Sequence, residues 1–443
     1  MLAVAVLGRI HDDEVFQFLE PALFRARGYG ILSWEWRQGL RNWAFPGAIS
    51  LVIRLSDALG VEDPRVCRAL IAVPQWLLHA GALAAVDRYA ARRLSSRARG
   101  VAVLLVGLYG PLLVFSGRTL SEAYSADFLL MGAVALDGTE RPFRAGLWGG
   151  ISMGMAVVAR YGSLLFALAA GVWLLARRAY RSLGGLCLGG LLVALLLTAL
   201  DQVTYGAPLH SLRAYVDFNV LSGKAADTFG REPGWFFLPL LLELTPLWAW
   251  AGFVFSWRRG APRVSLGLFM ALVYGVAISL TAHKETRFLY PAMVLLTLEG
   301  AIGVLSWAGR QGTAAWLSVP AVALAVLASF APAFVFPVER GGQFRAVVKA
   351  TRALDVTGLL LMNEGVWGSP GFFFMGKNIA FNVCDWPSPA CVQTLQNPLF
   401  NRVSTYENRG EDGRDLSGVP ELTAAGFRVL GRDGKATWLE RPK

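Results

Sequence analysis

The sequence predicts an all-α polytopic membrane protein with a small α/β domain at its C-terminal end, and three observations support that class. Hydrophobic residues make up 55% of the 443, including 15 Trp and 26 Phe, and mean hydropathy is +0.46, well above what a soluble domain requires. The apolar residues gather into runs of membrane-spanning type. After Phe336 the runs stop and the composition turns to mixed polarity.

Apolar segments fall near 1–10, 66–86, 100–116, 120–136, 145–159, 161–176, 183–200, 234–256, 264–282, 288–308 and 314–336, which makes about eleven spans. The first is only about half of the ~20 residues a span needs; either that helix is short or the chain starts further upstream. No basic region precedes it and no small-residue cleavage site follows, so it does not read as a cleavable signal. Gly184-Gly185 and Gly189-Gly190 lie inside an apolar segment, where small residues permit close helix packing. They are not a phosphate loop, and a nucleotide-sugar donor is not expected.

The loops test the count. Arg88, Arg92, Arg93, Arg97 and Arg99 follow the second span, Arg141 and Arg144 the fourth, Arg177, Arg178 and Arg181 the sixth, Arg258, Arg259 and Arg263 the eighth, and Arg310 the tenth. Every even-numbered exit carries the positive excess and is assigned to the cytoplasm, together with the N-terminus. The net charge of +11 is thereby explained by topology, and nucleic acid is excluded as a partner. The opposite face collects residues 11–46, 118–122, Arg160, 201–233, 283–287 and everything after Phe336. An extracytoplasmic active site and C-terminus follow as expectations. In that oxidising compartment Cys384 and Cys391 are expected to pair, against the alternative of two unrelated thiols.

Residues 1–336 are thus expected to form the transmembrane domain, with outer loops 11–46 and 201–233, and residues 337–443 an outer α/β domain. That domain should hold a helix near 341–354, strands at 358–362 and 379–383, and a final pair near 427–430 and 436–439, turned by Arg432-Asp-Gly-Lys435.

Charge at span ends is costly and calls for a role. His11-Asp12-Asp13-Glu14 precedes Val15, Phe16, Phe18, Leu19, Ala22 and Leu23, an amphipathic pattern of an interfacial helix. The acids either start that helix or one of them serves as a base on a hydroxyl. Trp34, Glu35, Trp36, Arg37, Arg41 and Trp43 read as an aromatic interfacial belt or as a platform for a sugar or lipid phosphate. His283-Lys284-Glu285-Thr-Arg287-Phe-Leu-Tyr-Pro291 ends the ninth span; its cations either cap that span and meet headgroups or bind a substrate phosphate. No metal is expected, because no His-Xaa-Xaa-Xaa-His spacing occurs.

The His-Asp-Asp-Glu segment, the Ser33-Trp-Glu-Trp36 segment with Arg41, and His-Lys-Glu-Thr-Arg-Phe-Leu-Tyr-Pro together closely resemble glycosyltransferase family 22. That family includes the mannosyltransferases of glycosylphosphatidylinositol anchors and dolichol-linked oligosaccharides, and this chain looks like a bacterial relative. Arg118-Thr-Leu-Ser-Glu122 and the stretch from Asp201-Gln-Val-Thr-Tyr205 to Trp235 resemble further segments of it. Two departures bear on the acceptor more than on the donor: Arg160-Tyr-Gly162 where the family commonly has Arg-Pro-Thr, and Asn363-Glu-Gly-Val-Trp-Gly-Ser-Pro370 where it often has Cys-His-Ser-Thr-Pro.

The resemblance implies a GT-C fold and a polyprenyl-phosphate sugar donor, typically of mannose, used on the outer face. The acceptor is a glycan or glycolipid, membrane lipid is the other partner, and no cofactor is needed. Asp13 aligns with the family's base, with Glu14 beside it as orienter. A lipid monophosphate, with a second pKa of about 6, leaves as a stable anion. It needs cations in place of an acid, and His283, Lys284, Arg287, Arg118 and Arg160 are the candidates. Trp34, Glu35, Trp36, Arg41 and Asp201 are candidates for substrate binding, although Asp201 at a span's outer end suits loop organisation better than catalysis. Two rival readings stand: a related transferase of another lipid-phosphate sugar such as aminoarabinose, and a lipid or solute transporter. A transporter would more often bury ionisable groups midway through spans; here they gather at outer ends, with Glu243 and Glu299 the main exceptions.

Overall fold

The computed structural model describes residues 7–138, 140–257, 264–310, 318–407 and 415–441. Residues 1–6 of the first expected span, the start of the last one (314–317), and Arg258, Arg259 and Arg263 lie outside the described residues. The chain divides into two compact units, one of residues 1–37, 45–72 and 338–443, the other of 38–44 and 73–337.

The fold is mostly helical. Among the described residues three helices are long and apolar enough to cross a membrane, Pro64–Ala91, Tyr180–Tyr205 and Thr286–Arg310, or four if the pair Phe237–Leu244 and Leu247–Phe255 is one span. That pair bends by 96° at Thr245-Pro246, where proline removes a backbone donor and clashes with the preceding turn. Other expected spans are shorter. The run near 100–116 is split into Ser96–Gly107 and Gly110–Phe115 around Leu108-Tyr109, and Ser121–Leu136 has 16 residues. At 1.5 Å per residue such a helix reaches about 24 Å, short of a ~30 Å hydrocarbon core.

In the larger unit, helices Pro142–Ala159 and Tyr180–Tyr205 meet backbone to backbone. A Cβ on Gly146 or Gly150 would lie 2.1 or 2.2 Å from the carbonyl oxygen of Ser182 or Leu186, and one on Gly185 or Gly189 would lie 2.2 or 2.3 Å from those of Phe143 or Leu147. Glycines four apart on both helices therefore make the contact, as close packing in an apolar solvent favours. Gly184 and Gly190 face open space.

In the smaller unit a five-stranded sheet has the order β2-β1-β3-β5-β4, with β1 Gly358–Met362, β2 Ala380–Cys384, β3 Arg402–Tyr406, β4 Arg428–Asp433 and β5 Ala436–Glu440. The first three strands are parallel and the last two join antiparallel. β1 is central and buried along its whole length: Leu359 and Leu361 pack with Ala346, Val347 and Ala350 of helix Gly341–Ala350, and Leu360 and Met362 with Cys391, Val403 and Leu439 on the other face. Gly434, at φ 58°, turns β4 into β5. β3 escaped the sequence reading. Its Arg402-Val-Ser-Thr lacks apolar alternation because Arg402 is neutralised by Asp355 and Glu440, and Ser404 and Thr405 are buried in the sheet.

Cys384, at the end of β2, forms a disulfide with the fully buried Cys391. The N-terminal segment joins this unit through an antiparallel bridge, with Arg9 N–H donating to Glu339 O at 3.0 Å and Glu339 N–H to Arg9 O at 2.8 Å. Gly8, at φ 137°, permits it, since a Cβ there would lie 2.5 Å from Glu339 O.

Candidate functional site

In the larger unit the most concentrated charge lies where three helix ends leave short polar segments. Helix Leu266–Ser279 stops before an extended turn over His283–Glu285, and a 3₁₀ turn, Thr286–Leu289, feeds helix Tyr290–Arg310. Pro291, placed at the first helical positions where its missing N–H costs nothing, starts that helix. The Tyr274 hydroxyl donates to Phe288 O at 3.0 Å and fixes the turn. Helix Ser121–Leu136 carries Glu122 in its first turn, where the helix dipole favours an acid. Arg160 is the extended residue that ends Pro142–Ala159.

These segments meet at Glu122, which is fully buried. Its Oε1 accepts from Arg160 Nη1 and lies 3.4 Å from Arg287 Nη1; its Oε2 accepts from Ser121 Oγ at 3.0 Å. Arg287 Nε donates to Glu285 Oε2 at 2.6 Å, and Glu285 Oε1 lies 3.0 Å from His283 Nε2. The Arg160 guanidinium sits 4.4 Å, and that of Arg287 5.6 Å, from the centre of the Phe288 ring, which adds cation–π attraction at its face. Arg287 is 7% exposed, so these charges act with little solvent screening. Arg160 Nε is buried without a hydrogen-bond partner among the described residues.

Three of the five expected phosphate ligands, His283, Arg160 and Arg287, thus come together. Lys284 is turned differently: its ammonium donates to the carbonyls of Glu232, at 2.8 Å, and of Thr281, so two of its three donors join the 201–233 segment to the end of helix Leu266–Ser279. Arg118 is 3% exposed, and its carbonyl accepts from Gln75 Nε2. Asp201 is fully buried and its Oδ2 accepts from both the backbone N–H and the hydroxyl of Ser211, at 2.9 and 2.6 Å. Those bonds tie the C-terminal end of helix Tyr180–Tyr205 to the following helix, a loop-organising arrangement. The Arg41 carbonyl accepts from Tyr205 OH at 2.5 Å.

In the smaller unit the three consecutive acids part company. Asp12 pairs with Arg9 Nη2 at 2.9 Å, and Glu14, 3% exposed, accepts from Ile10 N–H at 2.6 Å. Asp13 keeps 15% of its side chain exposed, with Oδ1 3.4 Å from His11 Nδ1. The Asp13 N–H lies 3.2 Å from the same nitrogen. Glu35 Oε2 accepts from Gln17 Nε2 at 2.7 Å; Trp36 is buried and Trp34 half-buried in the short helix Trp34–Arg37.

Glu122 is the residue that sequence reasoning passed over. Its signal was present: an acid four positions after an arginine, inside one short polar break between apolar runs. Its function as the hub emerges only when Arg160 and Arg287, 38 and 165 positions away, are brought to it.

Residues 1–354 match the profile of the Alg9-like mannosyltransferase family. GPI mannosyltransferase 3 of Yarrowia lipolytica is 32% identical over 324 residues, covering 65% of this chain and 57% of that protein. Mannosyltransferase APTG1 of Arabidopsis thaliana is 25% identical over 309 residues, covering 66% and 54%. The chain therefore spans little more than half the length of these relatives. Among solved structures, ArnT from Cupriavidus metallidurans bound to undecaprenyl phosphate aligns over 100% of this chain and 98% of its own, with a TM-score of 0.60 at 16% identity. The archaeal oligosaccharyltransferase AglB from Archaeoglobus fulgidus aligns over 90% and 66%, with a TM-score of 0.50 at 12% identity. The fold is that of the GT-C enzymes.

Proposed function

The chain belongs to the Alg9-like mannosyltransferase family, and from that premise we propose that it is an inverting glycosyltransferase. It moves a hexose, mannose by the family's usage, from a polyprenyl-phosphate sugar to a glycan or glycolipid on the outer face of a membrane. The observation that carries the reading is the convergence of Arg160 and Arg287 on Glu122. Two guanidiniums prepositioned by a buried carboxylate, one with an unused Nε–H, suit a departing phosphate monoester, whose charge grows as the glycosidic bond breaks. The undecaprenyl phosphate bound to ArnT, a protein of like fold, is a ligand of that chemical class.

Within this reading Asp13 takes the proton from the acceptor hydroxyl as its oxygen attacks the anomeric carbon opposite the phosphate, and Glu14 orients the segment. His283 holds Glu285, which in turn aims Arg287. Arg118 and Lys284 add positive charge; Trp34, Glu35, Trp36 and Arg41 contact substrate. The proposal takes about eleven crossings, with the shorter helices among them, residues 337–443 outside and the N-terminus in the cytoplasm.

The test is transfer of radiolabelled mannose from polyprenyl-phosphate mannose to native membrane extract, comparing purified wild type with Asp13→Asn. Transfer by wild type with loss in the variant supports both the reaction and the base. If neither protein transfers mannose or any other lipid-phosphate sugar, the reaction is wrong; if Asp13→Asn matches wild type, the base is wrong.

A further inference from the structure

Arg160 reaches Glu122 from a break in the chain. Helix Pro142–Ala159 ends on it, and helix Leu164–Ala176 follows after a single 3₁₀ turn, Tyr161–Ser163. Arg160 itself is extended, with φ −149° and ψ 107°. The local sequence supplies little of that break: no proline lies between Pro142 and Pro208, and Gly162 by itself is a weak breaker. Contacts from elsewhere in the larger unit supply the rest.

Asn42 is the first of them. Its Nδ2 donates to Val158 O at 2.9 Å, one of the last four carbonyls of helix Pro142–Ala159, which have no partner within the helix. The same Nδ2 donates to the Tyr161 hydroxyl at 3.1 Å, and Asn42 Oδ1 accepts from Ala44 N–H at 3.1 Å, which fixes the orientation of the amide. The Tyr161 hydroxyl is in turn hydrogen-bonded to Ser211 Oγ, and the Ser211 hydroxyl donates to Asp201 Oδ2 at 2.6 Å. An amide nitrogen only donates and a carboxylate only accepts, so the two ends set one direction throughout: Asn42 to Tyr161, Tyr161 to Ser211, Ser211 to Asp201.

Tyr161, Ser211 and Asp201 are all buried, where hydrogen bonds in series reinforce one another. The Tyr161 ring also lies against that of Tyr215, 5.1 Å between centres. Beyond the break, Ser163 Oγ and Ser125 Oγ share a hydrogen bond at 2.6 Å, and Ser125 stands one turn after Glu122 on helix Ser121–Leu136. Arg160 is thus held on both sides, by Asn42 and Tyr161 toward the outer segments and by Ser163 toward the helix that carries its carboxylate.

We propose that Asn42 and Tyr161 are positioning residues for the transfer. The hydrogen bonds they carry, anchored on Asp201, keep Arg160 extended so that its guanidinium meets Glu122 and the departing phosphate. This inference rests on the reading of Arg160 as a ligand of that phosphate. Asp201 then serves the reaction through Arg160, without touching substrate.

The test is a double-variant cycle on the full-length protein in detergent, read by mannose transfer from polyprenyl-phosphate mannose and by binding of undecaprenyl phosphate alone. Tyr161→Phe keeps the ring and removes the hydroxyl. It should lower kcat about 100-fold, the loss typical when a catalytic group moves by about an ångström, and leave KM for the acceptor unchanged. Asn42→Asp, which keeps the acceptor for Ala44 and loses both donors, should do the same. In an Arg160→Ala background neither change should cost anything further in transfer or in lipid-phosphate binding, since both act through that guanidinium.

A second pair separates position from packing. Tyr161→Ala and Tyr161→Pro delete the same ring, but proline forces the residue before it into the extended region and is tolerated at the first position of a helical turn. Compared at equal folded concentration, the proline variant should be the more active. Full activity of Tyr161→Phe, losses that add to that of Arg160→Ala, or a proline variant no better than alanine would each overturn the proposal. Wild type that binds undecaprenyl phosphate but transfers no sugar would defeat the proposed reaction, and the binding cycle would still judge the positioning role. Transfer by wild type with additive losses would do the reverse, and absence of both binding and transfer would defeat both.

Discussion

Glu122 of the larger unit and Glu364 of the smaller one are both removed from water, yet they are solved in opposite ways. Glu122 is surrounded by Arg160, Arg287 and the Ser121 hydroxyl. Glu364 has no hydrogen bond among the described residues, only the more distant fields of Arg340 and Arg9. A third acid, Glu20, takes a middle course: fully buried, it accepts from the backbone N–H groups of Phe373 and Ile31, each at 2.7 Å. A buried carboxylate that is paired sets the geometry of its cations and belongs to machinery. One that is unpaired is better served by a proton or a ligand.

The sharpest way to break this comparison is Glu122→Gln. Removing one member of a buried ion-pair network typically costs about 3–5 kcal/mol, and here it would also release two guanidiniums. Transfer should fall about 100- to 1,000-fold, the loss typical when one preorganised electrostatic donor is misplaced. Arg287→Ala should match it in activity, and a double variant should fall little further, since the residues act as one unit. Near-additive losses would mean that Glu122 and Arg287 act separately.

Glu364→Gln should behave oppositely. The folded carboxyl titrates near 8 and the unfolded one near 4.5, so between these values the folded state binds more protons and stability falls as pH rises. The full effect above pH 8 is on the order of 5 kcal/mol. Thermal or denaturant melts at pH 5 and pH 9 should show that slope in wild type and lose part of it in the variant. A flat wild-type profile would mean that Glu364 is already compensated.

Glu20 should contribute a smaller slope of the same sign, because burial outweighs its two amide bonds and lifts its carboxyl to about 7 from 4.5. The effect, on the order of 3 kcal/mol, should be complete by about pH 7, a full unit below that of Glu364. Glu20→Gln should remove it while leaving one amide donor unmatched, and the pH of half-effect in the remaining profile should move up toward 8. Reduction of Cys384–Cys391 should have the smallest effect: this loop closes over a sequence separation of 7, worth about 2.5 kcal/mol of chain entropy. It should lower the denaturation midpoint without changing transfer.

Much of the helical architecture was legible because its causes are local. Apolar runs announce helices, and arginine-rich exits alternate with them. The strands Gly358–Met362 and Ala436–Glu440 follow from continuous apolar or β-branched residues bounded by turn residues. Span counting was less secure. Apolar content does not register the breaks at Leu108-Tyr109 or Thr245-Pro246, which shorten and bend the helices that form.

The candidate site divides along the same line. Charge in an apolar chain is conspicuous, so His283, Arg287 and Arg160 stood out by themselves, and the reducible pair Cys384 and Cys391 stood out by compartment. What the sequence determined was which residues are too costly to be incidental, since that cost depends on residue type and on the solvent expected around it. Tertiary structure alone decided their partners. It turned Lys284 onto carbonyls, gathered two arginines on Glu122, and left Glu364 without a hydrogen bond among the described residues. Hydrogen bonds and ion pairs act over a few ångströms in space, and separation along the chain carries no information about that distance.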